Sequence, residues 1–151
     1  MTRAWIVGLV AALLVAIALA VAALVLLSPG DDTLVLDLDP GDCFDVPADI
    51  ADATIAEVDT IDCTEPHEAE VFATGELNPD RDQPYPADEQ QLFARVDRQC
   101  AAVLADRPDL VARFGVLPVV ADEQSWNSYR GRYVCVAIPY GGGTTEGSLG
   151  L

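Results

Sequence analysis

The 151-residue chain carries 25 acidic side chains against eight arginines and no lysine, a net charge of −17 at pH 7. A phosphate backbone needs clustered cations to displace its counterions, so nucleic acid is excluded as a partner, and an anionic lipid surface is excluded as a direct ligand of the acidic part. All 25 acidic residues and seven of the eight arginines follow residue 30, which leaves that part at −18, and between Asp31 and Glu70 there are 14 carboxylates and no basic residue. Such a surface keeps a domain soluble, and it is also where a basic partner or a cation would dock.

Behind a stub of residues 1–3, Ala4 to Leu27 is a run of 24 residues without a charge or a strongly polar side chain. At 1.5 Å rise per residue a helix of that length crosses a hydrocarbon layer about 30 Å thick. A cleaved secretory signal is the alternative, with small-x-small sites at Ala18-Leu19-Ala20 and Ala20-Val21-Ala22. Arg3 on one flank and Asp31-Asp32 on the other place the rest of the chain outside the cytoplasm under either reading.

After a spacer, residues 28–33, a folded domain is expected over 34–140. Leu34, Leu36 and Leu38 alternate with Val35 and Asp37 and predict a first strand, ended by the Asp39-Pro40-Gly41-Asp42 turn. Val58–Cys63 and Glu68–Leu77 read as two more strands, the second with Ala69, Val71 and Ala73 on one face and Glu68, Glu70 and Phe72 on the other. A Pro- and Asp-rich loop over 78–86 leads to a helix within Ala87–Leu104. Its stripe is Leu92, Val96, Cys100, Val103 and Leu104. Pro108 opens a short second helix expected to end at Gly115, with Leu110, Val111 and Phe114 available for packing. Tyr133–Ile138, apolar throughout, predicts a central strand, and 141–151 reads as a flexible Gly-rich tail. The fold class is therefore α+β: a mainly antiparallel sheet with one long helix packed on it, behind an N-terminal transmembrane helix.

Cys43, Cys63, Cys100 and Cys135 are even in number and widely spread, which in an exported small domain reads as two disulfides. Zinc would want close pairs, and the spacings are 20, 37 and 35 residues. Four cysteines allow three pairings. Cys43 follows a turn and Cys63 ends a strand, while Cys100 lies on a helix stripe and Cys135 in a strand, which favours Cys43–Cys63 and Cys100–Cys135.

The succession Gly41-Asp42-Cys43-Phe44, Val58, Asp62-Cys63-x-x-Pro66-His67-x-x-Glu70-Val71-Phe72, Cys100, Ser125-Trp126, Arg132-x-Val134-Cys135 and Gly147-Ser148-Leu149 resembles the septum formation family of actinobacterial proteins. The resemblance covers the whole domain and implies a cell-surface or membrane-tethered protein linked to cell division, with no established enzymatic activity. One departure is that the family usually has Gly-Asp before the arginine matching Arg132, where this chain has Arg130-Gly131.

His67, the only histidine, is flanked by Glu65, Glu68 and Glu70, and with Cys63 four residues earlier a Cys–His nucleophile can be imagined; it fails if Cys63 is oxidised, because a thiolate is required. A histidine after proline at a strand start is more often a hydrogen-bonding bracket. Ser125 lacks the strand-turn-helix setting of a nucleophile elbow. The acidic run Asp37–Asp42 is not an EF-hand, since its glycine is one place early and Ala48 stands where a bidentate glutamate is needed. Trp126 and Tyr133 are expected in the core, and Tyr129 and Arg130 in an exposed contact loop. No catalytic residue, metal or cofactor is expected. The candidate ligand or partner contacts are His67, Glu70, Trp126, Tyr129, Arg130 and Arg132, on a module that binds an unidentified envelope or division protein. The alternative is an envelope hydrolase or transferase using His67 with a neighbouring carboxylate.

Overall fold

The computed structural model describes residues 32–47 and 57–150. The expected membrane helix over Ala4–Leu27 lies outside these residues. Among the described residues no helix is long and apolar enough to cross a membrane.

Six strands form one antiparallel sheet: β1 (Asp32–Leu34), β2 (Cys43–Phe44), β3 (Glu57–Ile61), β4 (Ala69–Glu76), β5 (Phe114–Val120) and β6 (Arg132–Pro139), in the order β1-β3-β2-β4-β6-β5. Two helices, α1 (Glu89–Leu104) and α2 (Pro108–Val111), connect β4 to β5, and α1 packs on β5 and β6. The α+β architecture with one long helix on an antiparallel sheet is thus present.

Several elements differ from the sequence reading, each for a local reason. The Leu34–Leu38 alternation is not one strand. After Leu34 the chain tightens into a 3-10 turn, Val35–Asp37, closed by the Leu38 N–H on the Val35 carbonyl, and Val35, Leu36 and Leu38 are all buried. A strand would send Val35 and Leu36 to opposite faces; the turn sends both inward. In β4 the register shifts between Val71 and Ala73 and leaves Phe72 as the extra residue of a bulge. Ala69, Glu70, Val71 and Phe72 are all buried, so the expected polar face is covered too.

Helix α1 starts where Asp88 caps it, its carboxylate accepting the Gln91 N–H at 3.0 Å. Leu92, Val96, Cys100 and Leu104 are buried, but Val103 is 45 % exposed. A contact line stepping by four residues drifts about 40° around the helix at each step, so by Leu104 it has left Val103 behind. Helix α2 ends at Val111 rather than Gly115, and Phe114–Val120 is strand β5. Its Val and Phe content suits a strand, and Pro118, which has no N–H to give, is tolerated because β5 is an edge. Strand β6 lies inside the sheet between β4 and β5, as its apolar run requires.

Both expected disulfides are closed, Cys43–Cys63 and Cys100–Cys135, and no described cysteine is free. The first ties β2 to the loop after β3; the second staples α1 to β6 across the core.

Candidate functional site

Pro66 ends the loop after Cys63, and His67 follows just before β4 begins. Here the chain meets its own C-terminal segment. His67 and Thr145 exchange both backbone hydrogen bonds, at 3.0 and 2.8 Å, and the Gly147 N–H donates to the Cys63 carbonyl at 2.6 Å. The Glu70 carboxylate, only 3 % exposed, accepts the Ser148 hydroxyl at 2.7 Å and the Leu149 N–H at 2.8 and 3.1 Å on its two oxygens. One peptide unit further on, the Arg107 guanidinium reaches the carbonyls of Leu149 and Gly150, each at 3.5 Å. Residues 144–150, expected as a flexible tail, are therefore fixed to the domain at four places.

The His67 ring is fully buried, with Nδ1 2.8 Å from the Glu65 carbonyl. A carbonyl only accepts, so Nδ1 carries a proton, and Nε2 has no hydrogen-bond partner among the described residues. The sulfurs of Cys43 and Cys63 and one Glu70 oxygen lie within 4.8 Å of one another, a spacing that could hold a metal. In a disulfide, however, neither sulfur is a thiolate, so the donor set does not fit a metal. Before this segment, Asp62 accepts the backbone N–H and the hydroxyl of Thr64, and these bonds hold its carboxyl below the usual carboxylate range.

The second group of candidates sits in the β5–β6 connection and at the first residue of β6. Trp126 is 2 % exposed; its Nε1–H donates to the Gln83 carbonyl at 3.1 Å, and Tyr85 meets its ring edge-on at 5.4 Å. The Tyr129 hydroxyl donates to Asp37 at 3.2 Å, and burial, then the Asp37 charge, pushes its pKa up. Arg130 donates from Nε to the Pro79 carbonyl at 2.9 Å and pairs with Glu76 at 3.3 Å. Arg132 holds the Leu38 carbonyl at 2.8 Å and Asp39 at 3.0 Å. Tyr129, Arg130 and Arg132 are all half-buried and tie this loop to the first turn and to the end of β4.

The Arg130-Gly131 departure has a structural counterpart. Both residues take left-handed backbone, φ 59° and 63°, and a Cβ on Gly131 would come within 2.9 Å of the Trp126 ring and 3.0 Å of the Asn78 nitrogen. Sequence reasoning passed over three participants. Asn78 is fully buried and bonds to Gln83 and Asn127; Arg107 and Ser148 clasp the C-terminal segment. Only the Gly147-Ser148-Leu149 triplet gave a signal for any of them.

The fold and site define a small disulfide-stapled α+β domain that folds its own C-terminal segment against a buried glutamate. The septum formation family matches residues 36–135, more than half of the chain, and the protein belongs to that family. The matched stretch contains Cys63, His67, Glu70 and Arg107 and stops short of the segment they hold. No curated protein and no solved structure matches.

Proposed function

We propose that the protein is a binding module, held at the outer face of a membrane by Ala4–Leu27, that contacts an envelope or division protein reversibly and without turnover. Membership of the septum formation family supports a role in division or envelope assembly. One observation supports the absence of turnover: in the acid–base pair a hydrolase would draw on, the His67 ring is fully buried with Nδ1 on the Glu65 carbonyl, and the buried Glu70 carboxylate is committed to holding the C-terminal segment. General acid–base work needs both groups within reach of substrate and water. The alternative, an envelope hydrolase or transferase using His67, would require that segment to leave first.

The surface that supports electrostatic contact is the β1-β3-β2 end of the sheet. Glu57, Asp59, Asp62 and Glu65 are exposed there, in a stretch of sequence without an arginine. A basic partner seated on it gains affinity and encounter rate at low salt, and loses both as exposed charges are screened beyond about 10 Å at 0.1 M.

Co-sedimentation of the full chain with isolated envelope fractions tests this reading. Binding should be reversible, fall steeply between low and moderate salt, and return the fraction chemically unchanged. Time-dependent release of a product, abolished in a normally folded His67→Ala protein, would overturn the non-enzyme reading.

A further inference from the structure

The C-terminal segment is held as a bound peptide is held. Thr145 pairs with His67 through backbone alone, Gly147 is fixed by its N–H, and the Leu149 backbone is read at its N–H by a carboxylate and at its carbonyl by a guanidinium. Only the Ser148 hydroxyl adds a polar side-chain contact with the core of the site. Thr144, Glu146, Gly147, Ser148 and Gly150 are exposed, and Leu149 is the one segment side chain packed against the hydrophobic core. A segment needed to complete the core would be held by apolar burial; main-chain pairing at a strand end with one aliphatic anchor is how extended peptides are bound.

The link to the domain suits detachment. Gly141, Gly142 and Gly143 take φ of 87°, 77° and 98°, and a Cβ on any of them would meet nothing within 4 Å. Three successive left-handed glycines in open space form a tether rather than a packed corner. Release would also return the Glu70 carboxylate to water, and that hydration offsets part of the hydrogen bonding lost.

We propose that the Cys63–Glu70 edge, together with Arg107, is a binding site for a peptide of Gly–Ser–aliphatic character, and that Thr145–Gly150 of this chain occupies it as a strap which such a peptide from a partner protein displaces. This rests on the binding-module reading and locates the contact. The chain's own Gly147-Ser148-Leu149 defines the ligand chemistry: a glycine whose left-handed backbone, φ 81°, aims its N–H at the Cys63 carbonyl, a hydroxyl and an N–H for Glu70, and an aliphatic side chain for the core edge.

The test uses the full chain with a protease site inserted between Gly142 and Gly143, cut and washed, and a fluorescent peptide of the sequence from Thr144 to Leu151. The cut protein should bind the peptide saturably and at least tenfold more tightly than the uncut protein, whose strap competes. Ser148→Ala in the peptide should weaken binding at least fivefold, and Arg107→Ala in the protein severalfold. Peptide-side changes cannot unfold the receptor, so they report recognition alone. Equal binding of a scrambled peptide, a strap that never exchanges, or loss of the cooperative unfolding transition on cutting would each overturn the proposal. A chain that fails here yet still binds envelope fractions reversibly loses the site and keeps the module reading; one that binds peptide but turns over envelope material does the reverse.

Discussion

Replacing both Cys100 and Cys135 with alanine should cost the domain a large share of its stability. The bridge closes a loop with a sequence separation of 35 residues, for which the chain-entropy relation gives about 3.8 kcal/mol at 25 °C. Both cysteines are fully buried between α1 and β6, so the double substitution also removes two sulfurs from a packed core and adds a cavity term of about 1 kcal/mol. Against a total of about 5 to 15 kcal/mol for a domain of this size, a loss of roughly 4 to 5 is large. Urea unfolding followed by tryptophan fluorescence reads it, because Trp126 is buried in the same core cluster. The midpoint should fall while the slope rises, because the unfolded chain without the bridge expands and exposes more surface. A loss below about 1 kcal/mol would refute the view that this staple, rather than α1 packing alone, fastens the helix to the sheet.

Ser125→Ala should raise the titration of Asp122, whose carboxyl lies below its ordinary value of 3.8 chiefly because the Ser125 hydroxyl donates to it at 2.6 Å. Because the folded value is depressed, its contribution to stability is present above the unfolded value and is lost as pH falls through the lower folded one; the substitution should shrink that acid-side loss, as carboxyl-carbon NMR and acid unfolding would record. Gly131→Ala should destabilise by about 2 kcal/mol or more, from left-handed backbone at φ 63° and a Cβ 3.0 Å from the Asn78 nitrogen. Gly142→Ala, at φ 77° with open space around it, should cost only about 1 kcal/mol, and equal melting-temperature losses for the two would contradict the packing at Gly131.

What the sequence disclosed follows the range of the interaction. The α1 stripe was legible because Leu92, Val96, Cys100 and Leu104 recur at the helical period, and β6 because its apolar run needs cover on both faces. The cysteine pairs were legible from the element each one sits on. Strand β5 was hidden because Pro108 announces a helix, and nothing between it and Phe114 says where that helix stops; Gly115 looked like a terminus and is a strand residue. The 3-10 turn was hidden because Val35, Leu36 and Leu38 fit a strand equally well by composition. At the site, Glu70 and His67 could be picked out by residue type, but not their task. Glu70 meets Leu149 across 79 residues, and no local period encodes that meeting. Tyr129 and Arg130 have the composition of an exposed contact, while their hydrogen bonds to Asp37 and Pro79 depend on the folded register of β4 and β6.

Glu70 is the holder of the C-terminal segment, and hydrogen exchange on the Glu70→Ala protein tests that role most directly. The Leu149 amide, bonded to the carboxylate at 2.8 Å, should lose its protection, with Thr145 and Gly147 following as the strap releases, while the β6 amides keep theirs. Unchanged protection at Leu149, or an equal loss through β6, would contradict it.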